Sequence, residues 1–465
     1  MSDARIRFAL LAREVRRTFT LALPLIFGHV ATGMIGFVDS VLAGHHHANT
    51  LAAVAVGTAI WSVVVIVLVG VLLAVPPSVS HLAGAGRRAE VATLFRQTLW
   101  LAAALALLLI GFLQASTGLL DAMGIAEEIR PAASGFIHGV RWGVPALAFY
   151  LSMRYLSEGL HWTVPTMVLG LSGLALLAPL GYVLMFGMLG FPEMGAAGLG
   201  YATSTMLWCQ ALAFAAHLST SRRFADLALF RHWEWPRWEP IRGLLALGIP
   251  IGVTVAMEGG LFVATALLIG RMGEVPAAAH QIAINIASIT FMGALALAEA
   301  TTVRVGHAAG SGDPSGLRRA VLGGYVIVIG VQLVMASAIA LGSDRIASIY
   351  TRDAAVLSMA ATLLLFAAAF QVSDGIQVVS SASLRGLKDT RVPMLLAAFA
   401  YWGVGMPLGA GLGFGLGWGA PGMWVGLVAG LTFAALLLGL RLRHRLRRRP
   451  AGTHAGSAPA MSSGT

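Results

Sequence analysis

Apolar residues in this chain run in long blocks, most of twenty or more positions, separated by short polar links. Runs of about 18 apolar residues or more are the signature of helices that cross a bilayer, because no shorter helix bridges a hydrocarbon core of about 30 Å. The blocks predict twelve spans, near 17–40, 50–78, 92–114, 132–153, 166–188, 197–217, 242–269, 278–303, 319–341, 356–380, 394–414 and 422–441. The expected fold class is therefore an all-α integral membrane protein. The N-terminal arginines lead directly into the first block, which reads as a retained first span rather than a cleaved leader.

Composition agrees with that pattern. Of 465 residues, 57% are hydrophobic and 11% charged, whereas soluble domains carry roughly 25% charged residues. The net charge of +11 would suggest nucleic acid in a soluble protein. Here the basic residues crowd every second link, from Arg87 and Arg88 through Arg154, Arg222, Arg304 and Arg385 to the run from Arg441 onward. The alternate links hold His45–His47, Asp121, Glu127, Glu193, Arg271, Asp344 and Asp353. That asymmetry is the positive-inside pattern, so both termini are expected in the cytoplasm, with lipid rather than nucleic acid as the neighbour. Trp233, Trp235 and Trp238 in the longest basic link suit the headgroup region. Cys209 is the single cysteine, which rules out an internal disulfide.

The chain also repeats itself. Pro24 and Pro250, Gly44 and Gly270, His81 and His307, and Gly84 and Gly310 all lie 226 positions apart. SEGLHWTVPTM (157–167) matches LRGLKDTRVPM (384–394) at nearly that offset. Two six-helix lobes are expected: 1–225, then a cytoplasmic linker over 226–240, then 241–449, with a disordered tail over 450–465. Six crossings return the chain to its starting side. The lobes should thus be related by an axis along the membrane normal, with a solute path between them.

Acidic residues within the spans are few. Asp39 lies late in the first span, Glu258 in the middle of the seventh, Asp374 in the tenth and Glu299 late in the eighth. A charge there costs about 2.5–3.5 kcal/mol or more, so such groups usually face a cavity and serve an ion or substrate path. Glu299 reads as a structural acid paired with Arg304, and Arg141 of the fourth span as a partner for Asp39. Glu258 and Asp374 have no such neighbour in their spans and are the main functional candidates. A carboxyl taken out of water can exchange a proton. Two carboxylates with amide and hydroxyl oxygens can instead hold a small cation such as Na+. Gln281 and Asn285, on one helix face, and Gln371, Ser373 and Gln377 around Asp374 are the candidate helpers. A negative site would also attract a cationic organic molecule. His45–His47 reads as a solvated loop rather than a metal site, because consecutive residues on regular backbone point in different directions. Gly417, Gly419 and Gly422 follow no strand, so their spacing carries no dinucleotide site.

These residues resemble the multidrug and toxic compound extrusion (MATE) family in its NorM-like bacterial branch. The resemblance covers roughly 15–440 and rests on PLIFGHVATGMIGFVDSVLAG, VAMEGGLFVA, AAHQIAINIASITFMGALALAEATTVRVGHAAGSGD and FQVSDGIQVVSSASLRGLKDTRVP. It implies twelve helices in two lobes around a cleft, and export of amphipathic, often cationic, compounds in exchange for Na+ or H+. By that resemblance Glu258 and Asp374 are the coupling acids and Asp39 the first-lobe proton or drug site. It also implies that Gln281 and the loop acid Asp353 contact substrate. Two departures stand out: Leu177 and Gly181 replace a pair of asparagines near Asp39, and Phe370 replaces a tyrosine one turn before Asp374. The expected activity is a secondary antiporter without a cofactor, acting as a monomer. The alternatives are a flippase for lipid-linked precursors, which would need a cationic cavity, and an intramembrane lipid-modifying enzyme, which would need a clustered motif at one membrane face.

Overall fold

The computed structural model describes residues 3–447 apart from positions 123 and 233. The expected tail over 450–465 and Trp233 therefore lie outside the described residues. In chain order the first lobe comprises α1 (Asp3–His46), α2 (Ala48–Leu72), α3 (Val75–Gly84), α4 (Arg88–Leu119), α5 (Arg130–Val140), α6 (Val144–Gly159), α7 (Val164–Phe186) and α8 (Gly195–Thr220). The second comprises α9 (Trp238–Gly270), α10 (Glu274–Gly310), α11 (Pro314–Tyr350), α12 (Ala354–Gly386), α13 (Arg391–Ala398), α14 (Met406–Ala410) and α15 (Gly419–Arg447). Helices are the answer that hydrocarbon demands, since each satisfies its backbone polar groups internally.

Among the described residues, these fifteen α-helices make twelve crossings because α2–α3, α5–α6 and α13–α14 are each one broken span. The second span bends before Pro76 and Pro77, whose rings interrupt the helical hydrogen bonding. The fourth breaks into a 3₁₀ turn at Arg141–Gly143, just ahead of Pro145. The eleventh widens into π-helical turns at Phe399–Gly405 and Gly411–Gly415. Ten of the crossings are long and apolar enough to span a bilayer by length and composition; α5–α6 and α8 complete the twelve.

The lobes meet at the end of the bundle that carries the N-terminus. Leu21, Ala22 and Leu25 of α1 pack on Ala294, Leu297, Ala300 and Val303 of α10. Backbones touch where α2 crosses α9, Gly70 against Gly252 and Val71 against Gly248. Most telling is the contact of α3 with α10. A Cβ on Gly84 would collide with the carbonyl of His307, and one on Gly310 with the carbonyl of His81. Each member of the repeated pair thus touches the other's counterpart, as residues close to a two-fold axis must. The pseudo-two-fold of the repeat runs through this contact.

The segment joining the lobes is clasped to α4. Arg88 donates to Asp226 at 2.6 Å, and Arg96 pairs with Glu234. Gln97 donates to the Trp235 carbonyl and accepts from the Arg237 N–H. The Arg88 hydrogen bonds hold the Asp226 carboxyl below its ordinary range.

The reciprocal glycine contact generates a test. Gly310→Leu should weaken the interlobe packing by about 1–3 kcal/mol, as overpacking of a tight contact does, and lower the melting temperature of the purified protein in detergent. Gly111→Ala, at a position with open space around its Cα, should show no loss.

Candidate functional site

Two groups of buried polar residues stand apart in the helical interior. The first lies within the second lobe. Asp374 of α12 is 3% exposed, and Glu258 of α9, half-buried, lies within electrostatic range of it. Gln377, three residues beyond Asp374, donates to the Tyr401 hydroxyl at 2.6 Å and also interacts with Glu258. Tyr401 is fully buried and lies within electrostatic range of both carboxylates. The Oε1 atom of Gln377 accepts no hydrogen bond among the described residues. Trp402 ties the same span to α9, its indole donating to the Met257 carbonyl at 3.2 Å.

A hydrogen-bonded chain continues below. Gln371 donates to Thr290 at 2.6 Å and accepts from Gln332 at 2.8 Å, joining α10, α11 and α12. Ser373 bonds Thr432 of α15 at 2.9 Å. Phe370 stacks on Trp424, with ring centroids 5.8 Å apart, and Trp424 donates to His280. The structure thus gathers two acids, an amide with a spare acceptor and a phenol in one interior site. Sequence reasoning found Glu258, Asp374 and Gln377 but missed Tyr401. The sole available signal was a tyrosine in mid-span, where a buried hydroxyl needs a partner.

The other candidates fall elsewhere. Asp39 is buried in the first lobe, and its Oδ1 accepts no hydrogen bond among the described residues. Leu177 is fully buried, and Gly181 lies against Leu42 and Leu199. Gln281 and Asn285 share an exposed face of α10. Asp353 is engaged as the N-cap of α12, accepting from the N–H groups of Ala355 and Val356 at 2.9 Å each.

Two expected pairings and one expected placement are corrected. Arg141 does not reach Asp39; the helix break turns it outward to bond Gln114 and stack over Trp142. Glu299 does not pair with Arg304, which binds Glu14 of α1. Arg154 is no solvated link residue but is buried within α6. These residues build the second polar group, between the lobes. His29 of α1 bonds Glu299 of α10 at 2.8 Å. Arg154 donates to Glu158 at 2.7 Å and stands 4.0 Å from Glu299. Thr166 donates to Glu158 at 3.0 Å. Arg385 of α12 lines the same small cavity as Glu158 and Glu299. One carboxylate of the second lobe is thus held by a histidine and an arginine of the first.

The MatE family model matches residues 24–183 and again 250–410. A protein named "Probable multidrug resistance protein NorM" from Xanthomonas campestris pv. campestris is 61% identical over 399 residues, covering 86% of this chain and 87% of that protein. "Multidrug resistance protein PmpM" of Pseudomonas aeruginosa is 40% identical over 402 residues, covering 85% and 83% of the two chains. Among solved structures, a MATE protein in the straight conformation superposes with a TM-score of 0.86 at 20% identity, covering 94% of this chain and 97% of that one. The eukaryotic MATE transporter AtDTX14 gives 0.82 at 17% identity, covering 95% and 99%. At those identities the structures speak for the fold.

Removing one partner from a buried ion pair leaves an uncompensated charge and costs about 3–5 kcal/mol. Arg154→Met should therefore depress the melting temperature in detergent strongly, and adding Glu158→Gln should recover part of the loss. Arg87→Met, at an exposed pair with Glu90, should leave it unchanged.

Proposed function

The chain belongs to the MatE family, a multi-pass membrane family of multidrug efflux transporters rather than enzymes, and on that premise we propose a specific mode of coupling and a substrate class. The protein exports amphipathic organic cations in exchange for Na+ or H+, using Glu258 and Asp374 as the coupling acids. One observation carries this reading: two carboxylates from α9 and α12 converge on Gln377 and Tyr401 inside the second lobe. Two acids that feel each other's charge hold a proton or a monovalent cation more readily than either holds its own isolated charge. The carboxylates, the spare Gln377 Oε1 and the Tyr401 hydroxyl form an all-oxygen donor set of the kind a hard cation takes.

The exchange follows from competition for negative charge. With the ion or proton bound, the site is neutralised and an organic cation loses its electrostatic attraction. With the ion released, the attraction returns. Transport then requires that the cleft between the lobes open to each side in turn, as two like-oriented repeats rocking about their shared axis allow. In this reading the closed end of the bundle, with the N-terminus and its basic links, faces the cytoplasm of a bacterial inner membrane. The chain works as a monomer in contact with lipid and requires no cofactor. Asp39, in the first lobe, is a proton or substrate site of its own rather than part of the coupling pair. Gln281 and Asn285 offer substrate contacts along α10. A lipid-precursor flippase is disfavoured by the acids gathered in the interior. A lipid-modifying enzyme is disfavoured by the family.

The test is export of ethidium or norfloxacin from proteoliposomes, with Na+ and proton gradients imposed separately. The wild-type protein should respond to at least one of them. Glu258→Gln and Asp374→Asn should each lower export at least tenfold while the protein still reaches the membrane in normal amount. Undiminished export by both variants would remove the site assignment, and wild-type export indifferent to both gradients would remove the antiport itself.

A further inference from the structure

At the end of the bundle opposite the N-terminus, three consecutive histidines mark the junction of α1 and α2. On continuous helix, His46 and His47 would diverge by about 100°. The backbone does not continue. His47 is the N-cap of α2 with φ −155° and ψ 154°, an extended residue between two helices. That single extended residue swings its ring back beside its neighbour, so that the His46 and His47 rings meet edge to face with centroids 4.6 Å apart. The loop between α7 and α8 then delivers Glu193, whose Oε1 stands 2.9 Å from the His46 Nε2. One ligand atom from each of His46, His47 and Glu193 lies within 4.8 Å of the others.

The surroundings prepare His46 for a ligand role. Its Nδ1 is bonded to the Thr50 hydroxyl at 2.9 Å, one turn into α2, which fixes the ring's orientation and leaves Nε2 directed at Glu193. Phe186 covers the ring from the α7 side, with centroids 5.3 Å apart. Gly195 lies beside the His46 Cε1, and a Cβ there would sit 3.6 Å from it. Metal-binding histidines carry this kind of support: a hydrogen bond on the far nitrogen and an apolar wall. His45 lies outside the set: its Nδ1 bonds back to the Val41 carbonyl at 2.8 Å, and its ring is not among the groups whose ligand atoms come within 4.8 Å of one another.

From this geometry we propose that His46, His47 and Glu193 form a binding site for a divalent transition metal such as Zn2+, separate from the Glu258–Asp374 site. Two imidazoles and one carboxylate, with a fourth position open to water, match the donor set and count that Zn2+ takes at three-ligand sites. Ligand atoms at about 2.0–2.2 Å from a tetrahedral ion lie about 3.3–3.6 Å apart. The observed set, spread over as much as 4.8 Å, therefore needs to contract by up to about 1.5 Å. Glu193, whose side chain is 62% exposed, has the freedom to supply that movement. A hydrogen bond joins the His46 Nε2 to the Glu193 Oε1, and the metal would take its place. Nitrogen ligands favour Zn2+, Cu2+ or Ni2+ over Mg2+, which demands oxygen. The bound ion would tie together the end of α1, the start of α2 and the α7–α8 loop, three segments that meet at this rim.

The experiment is zinc titration of the detergent-purified full-length protein after removal of any affinity tag, using a competing chromophoric indicator. The expected result is one Zn2+ per chain at micromolar affinity or better, no competition from Mg2+, and a higher melting temperature with zinc present. Co2+ in place of Zn2+ should give the intense visible bands of a four-coordinate site. His47→Ala and Glu193→Gln should each weaken binding at least tenfold, Thr50→Val less, and His45→Ala not at all. The metal-free melting temperature reports whether each variant is folded, and H47A and E193Q replace exposed groups that the fold does not depend on. A wild-type protein that binds no zinc overturns the proposal. So does undiminished binding in a folded His47→Ala, Glu193→Gln double variant.

Discussion

Where Gly84 and Gly310 lie against the carbonyls of His307 and His81, the two lobes approach until their backbones touch. No side chain fits in that space, and the arrangement of the bundle depends on its staying empty. Lipid offers no hydrophobic drive for helices to associate, because tails are as apolar as the helix faces they replace. Van der Waals contact between small residues must do that work. Here it is concentrated at one end, where α1, α2 and α3 meet α9 and α10. A reciprocal contact at a two-fold axis also acts as a pivot: each lobe meets the same surface it presents.

Charge is distributed in two ways around that pivot. Between the lobes every buried carboxylate has an opposite charge or a histidine near it: Glu14 with Arg304, Glu158 with Arg154, and Glu299 with His29 and Arg154. Deeper in the second lobe, the near neighbours of Glu258 and Asp374 among the described residues are an amide, a phenol and each other, and Arg385, the charge that reaches Glu258, is shared with Glu299. The first pattern suits a lock, because separating the lobes strands charges whose desolvation has already been met by pairing. The second suits an exchangeable guest, because the missing positive charge must come from outside the protein.

How far the sequence disclosed these arrangements follows from the range of the interactions. The spans were legible because hydropathy is a local property, and the lobes because the repeat keeps its spacing. The buried placement of Glu258 and Asp374 was legible because a carboxylate in an apolar run is costly and turns toward the protein interior. Asp353 carries a local role that likeness between positions did not announce: one of its carboxylate oxygens accepts from two backbone N–H groups. The Glu299 pairing was misread because Arg304 is near in sequence, whereas the true partner His29 lies 270 residues away. Arg154 was misread because positive residues at span ends usually face water, and nothing local marked this one as buried. Tyr401 and the His46–His47–Glu193 group depend on backbone that leaves the α-helical pattern, a π-helical turn in one case and an extended residue in the other. Periodicity arguments assume the regularity that those positions break.

The eleventh span offers a last consequence. Gly405, Gly409 and Gly413 on this span lie against Gly430, Gly426 and Gly422 of α15. Two such smooth rails have no interlocking teeth, so packing alone sets the distance between the helices but barely sets how far one has slid along the other. The π-helical turns add to this freedom, since a surplus residue in a wide turn can pass to the next turn with little change in hydrogen-bond count. The axial position of the span must therefore be indexed by its polar pins, Tyr401 on Gln377 and Trp402 on the Met257 carbonyl. Both pins sit beside Glu258 and Asp374, so the longitudinal setting of a whole helix is fixed at the two buried carboxylates.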